Sequence, residues 1–159
     1  MNRRTQVLII AGAAAHLLLQ GCDPLIGDAF TPCRAPDFEQ GGCVPPPIEL
    51  CPPGGVGARW KGIEGDVLTL EKDYFGGCQE RSYRLCTDGA FYGDDGGELD
   101  LWLVDTNPRS AFDNCDGVVT VEPVFDLSPI REWYEDAYGE ATGEVTLHLR
   151  GPETLRYMF

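Results

Sequence analysis

The chain has 159 residues, a formal net charge of −14 and seven cysteines, and its length is typical of a single domain. The surplus of acids, without any basic run, excludes nucleic acid as an expected partner because phosphates would be repelled. Twenty glycines and twelve prolines argue against a helical bundle and favour a β-rich fold with many turns.

The first 21 residues have the composition of an export signal. Arg3 and Arg4 give a positively charged start, no acid occurs, and residues 7–19 form a run of mostly apolar and small residues. This run is shorter than the roughly 20 residues that a helix needs to cross a bilayer. We therefore predict a cleaved signal peptide over residues 1–21.

The end of this signal, Leu19-Gln20-Gly21-Cys22, resembles the lipobox of bacterial lipoproteins. In that family the cysteine thiol receives a diacylglycerol, the signal is cut before the cysteine, and the new amino group is acylated. The resemblance implies that Cys22 is the lipidated first residue of the mature protein. Because two or more acyl chains anchor a protein stably, it implies a location in the cell envelope. The protein would be attached to the inner or outer membrane and would face the periplasm or the exterior.

Residues 22–58 hold eight of the twelve prolines and are predicted to be a tether between lipid and domain. Proline lacks the N–H that a central strand needs, and consecutive prolines favour an extended polyproline conformation. We therefore expect this stretch to stay out of the sheets. Three cysteines indicate that it is stapled locally or to the domain, and a small disulfide-bonded recognition lobe is the alternative.

Residues 59–159 are predicted to form a mainly β, antiparallel β-sandwich-like domain that is braced by disulfides and carries one short helix. Alternating apolar and polar residues separated by turns predict about six or seven strands. The most regular runs are 67–75, 82–85, 99–104, 118–125, 145–150 and 155–159. Pro123 interrupts one of them and indicates an edge strand or a bulge.

A short helix is predicted over residues 129–138. Ser128 is a candidate N-cap, and Pro129 occupies the favoured first helical position. Apolar residues recur at three- and four-residue spacing, which predicts an amphipathic helix lying over one open end of the sandwich.

Three segments, Tyr74–Cys78, Asp113–Asp116 and Phe125–Glu132, are similar to segments of an uncharacterised group of exported bacterial proteins. The resemblance covers roughly residues 64–150. It implies a β-domain of that type and implies no particular activity.

With Cys22 assigned to lipid, six cysteines fit three disulfides, which could connect in fifteen ways. Three lie in the tether and three in the domain, so at least one bridge must join the two regions if all six pair within the chain. The pairing we favour is Cys33–Cys43, Cys78–Cys115 and Cys51–Cys86. The absence of a C-x-x-C pair argues against structural zinc and against redox catalysis.

Catalytic motifs are not evident. His148 is the sole histidine after the predicted signal, and no G-x-S-x-G elbow occurs, which disfavours a hydrolase triad. A glycosidase-like carboxylate pair could be drawn from the many acids, but nothing in the sequence singles out its two members.

Acidic turns and aromatic residues offer two binding hypotheses. Calcium favours six to eight oxygen ligands from such turns, although ordinary solvated turns have the same composition. The calcium candidates are Asp94, Asp95, Glu98, Asp100, Asp105, Asn107, Asp113 and Asp116. Four aromatic residues could line a sugar or peptide groove, with core packing as the favoured explanation; they are Trp60, Trp102, Trp133 and Tyr134.

These features together predict a membrane-anchored envelope lipoprotein with a non-catalytic structural, binding or accessory β-domain. It needs no cofactor and contacts its membrane through the lipid, with an envelope protein or a glycan as a candidate partner. A calcium- or glycan-binding module is the first alternative, and an envelope hydrolase with paired carboxylates is the second.

Overall fold

The computed structural model describes residues 33–76, 78–93, 97–107, 115–150 and 153–159. The elements in chain order are α1 (Ala35–Glu39), β1 (Glu49–Leu50), β2 (Arg59–Glu64), β3 (Val67–Phe75), β4 (Tyr83–Thr87), β5 (Phe91–Tyr92), β6 (Glu98–Asp105), β7 (Val118–Val121), β8 (Val124–Asp126), α2 (Ser128–Tyr138), β9 (Glu144–Leu149) and β10 (Thr154–Met158). The predicted signal peptide, Cys22 and the first part of the tether lie outside the described residues. Neither described helix is long and apolar enough to cross a membrane.

The strands form two sheets. The larger has the order β1-β4-β6-β9-β10, with β5 also paired to β6, and the smaller joins β2-β3-β7, with β8 also paired to β3. The mainly β prediction is confirmed. The smaller sheet is antiparallel, as predicted, whereas the larger sheet is mixed. Strand β1 runs parallel to β4, and β6 runs parallel to β9. Parallel neighbours need a crossover connection, and the chain between β6 and β9 supplies one through the smaller sheet and α2.

One apolar core contains side chains from both sheets. In β6 the predicted alternation turns Leu99, Leu101 and Leu103 inward, and Leu68 and Leu70 of β3 belong to the same cluster. All five are essentially inaccessible to solvent. Burying one such side chain contributes about 1.5–3 kcal/mol, so this core is the principal source of the domain's stability.

Helix α2 starts one residue earlier than predicted. Ser128 is already helical, and it does not act as the cap. Instead, Asp126 accepts hydrogen bonds from the Ser128 backbone N–H and from its hydroxyl, both at 2.8 Å. The helix ends at Gly139, whose left-handed conformation (φ 74°) suits glycine. Ile130 and Tyr134 pack into the core cluster.

Residues 33–58 lie along the domain instead of standing apart from it. Ile48 is 3% exposed and belongs to the core cluster, and β1 is an edge strand of the larger sheet. The expectation that this stretch stays out of the sheets is therefore wrong for Glu49–Leu50. The prolines allow it because their carbonyls can still accept hydrogen bonds: Pro46 O accepts from Asp126 N–H at 2.9 Å.

Three disulfides connect the six described cysteines in the pairing favoured from the sequence. Their Cα–Cα distances are 5.5 Å for Cys33–Cys43, 5.5 Å for Cys51–Cys86 and 5.6 Å for Cys78–Cys115, which is the normal range for a disulfide. The second joins the N-terminal segment to β4, as the parity of the cysteines requires.

Candidate functional site

A glycine-rich strap, defined as residues 53–58, runs from the Cys51–Cys86 disulfide to β2. Strand β9 pairs with β6 only as far as Leu101. Beyond that point the backbone N–H and C=O of Leu103 form hydrogen bonds with Val56. Val56 N–H donates to Leu103 O at 2.7 Å, and Leu103 N–H donates to Val56 O at 3.3 Å. The strap thus continues the pairing of the interior strand β6 beyond the end of β9.

Side chains and close packing fix the strap further. Arg150 Nη1 donates to Gly55 O at 2.6 Å, and Lys72 Nζ donates to Gly57 O at 2.7 Å. Gly55 has φ 79°, and a Cβ at this position would lie 2.3 Å from Leu103 O and 3.2 Å from Trp102 Cδ1. Only glycine therefore allows the strap to lie this close to β6 and Trp102.

Two grooves flank the strap, and both include Arg150. The Trp102 groove, of about 410 Å³, is lined by Pro53, Gly54, Asp88, Asp100, Leu101, Trp102, His148 and Arg150. The Trp60 groove, of about 370 Å³, is lined by Gly57, Ala58, Arg59, Trp60, Glu71, Lys72, Asp73, Leu149, Arg150 and Glu153. Both volumes lie within the usual range for ligand sites.

Trp102 forms part of the first groove and is 5% exposed. Alternation along β6 places it on the face opposite the core leucines, where the strap covers it. Its register partner on β4 is Cys86, so the Cys51–Cys86 disulfide lies beside it. The indole Nε1 is buried and has no hydrogen-bond acceptor in the described ranges.

Polar side chains of β5, β6 and β9 surround this groove. The Tyr92 hydroxyl donates to Asp100 Oδ1 at 2.6 Å, and the Tyr92 and His148 rings lie 5.7 Å apart. His148 Nε2 lies 2.9 Å from Glu98 Oε2. Burial, and then the Asp100 carboxylate, raise the pKa of Tyr92. Tyr92 therefore stays a neutral hydrogen-bond donor at physiological pH.

The Trp60 groove has a different character, because its charges form ion pairs across neighbouring strands. Arg59 contacts Glu71 and lies 3.0 Å from Asp73, and the hydrogen bond from Arg59 to Glu71 is the largest cause of its raised pKa. Trp60 Nε1 donates to Glu153 O at 3.1 Å. This indole, unlike that of Trp102, already has an acceptor.

The calcium candidates do not come together within the described residues. Glu98 and Asp100 begin β6, whereas Asp105 and Asn107 lie at its other end, about 15–25 Å away at the usual rise per residue. Asp105 pairs with Arg81 at 3.2 Å. No group of three or more His, Cys, Asp or Glu side chains in the described ranges is arranged to hold a metal ion.

The remaining calcium candidates stay a prediction. Asp94, Asp95 and Asp113 lie outside the described residues, and Asp116 lies in a shallow hollow beside Phe75 and Val118. A calcium site would therefore depend on ligands from 94–95 or from 113.

The other aromatic candidates are mainly structural. Tyr134 is buried in the core, and Trp133 packs against it, which agrees with the favoured core-packing explanation. Sequence reasoning missed Tyr92, Arg150 and the strap as parts of a site. A usable signal was present, because a cysteine directly before a glycine-rich stretch can hold that stretch against the domain.

Comparisons with known proteins concern the fold alone. No protein-family model matches the chain, and no curated protein matches it. Among solved structures, it is similar to a "putative lipoprotein" from Bacteroides fragilis, with 11% identity and a TM-score of 0.44 over 73% of this chain and 69% of the other. It is also similar to a protein of unknown function, DUF1344, from Bacteroides vulgatus, with 18% identity and a TM-score of 0.41 over 73% of this chain and 56% of the other.

Proposed function

We propose that the protein is a lipid-anchored protein of the cell envelope whose β-domain binds a ligand or partner without chemical conversion. The observation that carries this proposal is the strap. The chain that follows the lipobox-like sequence continues into a segment that is bonded to the sheets by Cys51–Cys86 and forms one wall of the Trp102 groove. Anchor and groove are therefore joined through a fixed piece of backbone.

The docked segment shortens the tether. Because residues 33–58 lie on the domain, only the chain between Cys22 and Cys33 separates the predicted lipid from the folded body. The eleven Cα-to-Cα steps from Cys22 to Cys33 reach at most about 40 Å even when fully extended. The grooves would therefore work within the layer next to the membrane. Since the chain is strongly acidic, acyl chains and not charge would hold it there.

The chemistry beside the Trp102 groove supports binding over catalysis. His148 contacts Glu98, the described cysteines are in disulfides, and Ser128 is bonded to Asp126 at the start of α2. Within the described ranges, His148 is thus not paired with a serine or cysteine nucleophile. The charged groups at the groove contact other parts of the protein, as expected of a preformed binding surface.

The anchor is tested with Cys22→Ala in the full-length chain, expressed in a bacterium that processes lipoproteins. We expect the wild-type protein to incorporate labelled palmitate and to sediment with membranes. The variant should lose the label and accumulate as a longer precursor or be processed elsewhere. Cys33→Ala is the matched control, because it removes a different cysteine and should keep the label. Unchanged labelling of the Cys22 variant would refute the anchor.

The binding role is tested by photo-crosslinking in cells. A photoreactive residue at Val56, which is 38% exposed on the strap, should capture a ligand or partner, whereas one at Met158, which is 72% exposed at the edge strand β10, should not. A panel of glycosides and esters should give no turnover. Turnover that His148→Gln abolishes would instead establish an enzyme.

A further inference from the structure

We propose that strand β7 (Val118–Val121) is a docking edge for an extended segment of a partner protein. The segment would add to the smaller sheet as an antiparallel strand, with an apolar residue opposite Val118 and a lysine or arginine opposite Asp116. This surface goes beyond the proposed function, because β7 belongs neither to the strap nor to the two grooves beside it. The proposal depends on the direction of the backbone groups of β7, on the exposed side chains beside them and on the local charge.

The hydrogen bonds between β3 and β7 determine which backbone groups of β7 point to the edge. Gly76 N–H, just beyond β3, donates to Gly117 O at 3.0 Å, and these two residues lie opposite each other when the β3–β7 register is extended by one residue. In an antiparallel pair, bonded and non-bonded residues alternate. Val118 and Thr120 therefore direct their N–H and C=O groups away from β3, towards the edge of the smaller sheet.

The N-terminal segment confirms this direction. Glu122 lies two residues beyond Thr120, and its carbonyl accepts from Ala35 N–H at 3.0 Å. Beside this bond, Val124 N–H donates to Cys33 O at 3.2 Å, so the segment lies along the same edge as far as Glu122. It then turns into α1, which lines a surface hollow together with β2. The described part of the segment therefore leaves the edge of β7 uncovered.

The outward groups of Val118 and Thr120 are available to another strand. No backbone hydrogen bond to them occurs among the described residues. Exposed edge strands usually carry a charged residue, a proline or a bulge that prevents further pairing. Residues 118–121 read Val-Val-Thr-Val and have none of these features. Two donors and two acceptors thus face outwards, as β-strand addition requires.

Exposed side chains beside these groups favour an apolar neighbour. Val118 is 61% exposed, and its register partner Phe75 is 70% exposed. Residues directly opposite each other in a sheet lie on the same face, so the two form an exposed apolar pair. A side chain of an added strand opposite Val118 would lie beside this pair, and burying part of its apolar surface would stabilise the complex.

The local charge favours a basic residue on the added strand. Asp116 lies two residues before Val118 and is exposed, and it forms no ion pair with a cation of the described residues. A lysine or arginine opposite Asp116 would therefore have the complementary charge, which favours the correct partner and register.

A second copy of the chain fits this edge poorly. Pairing Val118 with Thr120 of the second copy would use all four outward groups, but the same register brings Asp116 opposite Glu122 of the second copy. Like charges directly opposite each other are destabilising. Two chains with a net charge of −14 also repel each other. The occupant we propose is therefore a different protein with a basic segment.

The test follows the backbone amide signals of the ¹⁵N-labelled full-length chain in mild detergent. The probe is the capped peptide Val-Thr-Val-Thr-Lys, titrated to millimolar concentration, which pairs its third residue with Val118 and its lysine with Asp116. We expect saturable shifts of the Val118 and Thr120 signals, because these N–H groups gain acceptors. The Val119 signal is the internal reference and should shift less, because its N–H faces β3.

Modified peptides test the backbone contact without changing the protein. N-methylation of the third peptide residue removes an N–H that faces β7 and should weaken binding at least about tenfold. N-methylation of the second residue is the matched control, because that N–H points to solvent, and it should leave the affinity nearly unchanged.

A charge variant tests the basic residue. Asp116→Asn should weaken binding of the lysine peptide about threefold, as expected for an exposed ion pair, and should not change binding of the same peptide with glutamine in place of lysine. Asp88→Asn is the matched control, since it changes the net charge equally but lies in the turn between β4 and β5. It should leave both affinities unchanged.

Four results would overturn the proposal. Two of them are the absence of saturable shifts at Val118 and Thr120 and equal effects of the two N-methyl peptides. The third is protection of both amides from hydrogen exchange in the free monomer, which would show that a segment of this chain occupies the edge. The fourth is protection that disappears when a dimer dissociates on dilution, which would show that the occupant is a second copy.

Discussion

The N-terminal segment 33–58 and the two sheets are stabilised by different interactions. The sheets enclose a core of leucines that are inaccessible to solvent. The segment contributes Ile48 to that core and a small cluster around Cys33 and Ala35, and otherwise depends on two disulfides and backbone hydrogen bonds. The Trp102 groove lies where these regions meet. The segment can therefore be loosened while the sheets stay folded, and this would open the groove.

We expect the largest loss of stability when the Cys51–Cys86 disulfide, which joins the segment to the larger sheet, is removed. Cys51→Ala combined with Cys86→Ala opens a loop of 35 residues and should lower the free energy of unfolding by about 3–4 kcal/mol. Urea denaturation measures the loss. The strap should also release Trp102, so that acrylamide quenches more of the tryptophan fluorescence.

The control for this prediction is the other disulfide of the segment. Cys33→Ala with Cys43→Ala opens a loop of only 10 residues and should cost about 2–3 kcal/mol without exposing Trp102. If both pairs changed quenching equally, the strap would not be the cover of Trp102.

The stability of the sheets, in contrast, should fall at alkaline pH because of Tyr83. This side chain is 4% exposed, and burial, followed by the nearby Asp105 carboxylate, raises its pKa to about 12. A folded-state pKa above the unfolded value of about 10 favours the protonated phenol in the folded state. Its contribution to stability is therefore complete below pH 10 and is lost as the pH rises from about 10 through about 12.

Urea titrations between pH 9 and pH 12 measure this effect, which should be at most about 3 kcal/mol. Tyr83→Phe should flatten the alkaline loss, although the raised pKa of Tyr157 leaves a residual slope of the same sign. An identical slope in wild type and variant would show that Tyr83 does not contribute.

A smaller effect should follow from disturbing the strap alone. In Gly55→Ala the new Cβ meets Leu103 O at 2.3 Å and the backbone keeps a positive φ, so we expect a loss of about 2 kcal/mol. Gly41→Ala is the matched control, since Gly41 also has a positive φ (69°) but nothing within 4 Å of its Cβ position. It should cost only about 1 kcal/mol. Equal losses would mean that the close approach to β6 is not restrictive.

How much the sequence reveals differs between the same two regions. Alternation predicted β3 with its observed bounds and placed Trp102 opposite the core leucines. It missed β1 and β5, because two residues carry no periodicity. It also missed β2, where an irregularity between Trp60 and Gly62 interrupts the alternation. It also could not indicate the parallel pairing of β6 with β9, because the period of two is the same in parallel and antiparallel strands.

The candidate site was harder to predict than the fold, because its parts are distant in sequence. The composition of residues 53–58 is typical of a linker, and their docking depends on the backbone groups of Leu103 that β9 leaves unpaired. The local sequence pattern of residues 53–58 cannot show that backbone groups are unpaired in a strand some 50 residues away. The parity of the cysteines was the one long-range signal, and it correctly required a bridge between the regions.

The smallest predicted effect separates the two roles of Asp126, which lies where the segment, β8 and α2 meet. Its backbone N–H and C=O bond to Pro46 and Ile48, whereas its side chain accepts both donors of Ser128. Asp126→Ala should therefore remove only the helix cap and cost about 1 kcal/mol. Asp126→Asn keeps an acceptor and should retain most of this stability. Ser128→Ala should lower the free energy of unfolding less than Asp126→Ala, because the hydrogen bond from the backbone N–H of residue 128 to Asp126 survives. Thermal denaturation ranks the three variants.

Two outcomes would change this assignment. If Ser128→Ala were the most destabilising variant, Ser128 would be the cap. If Asp126→Ala also increased acrylamide quenching of Trp102, the segment and the helix would be coupled through Asp126.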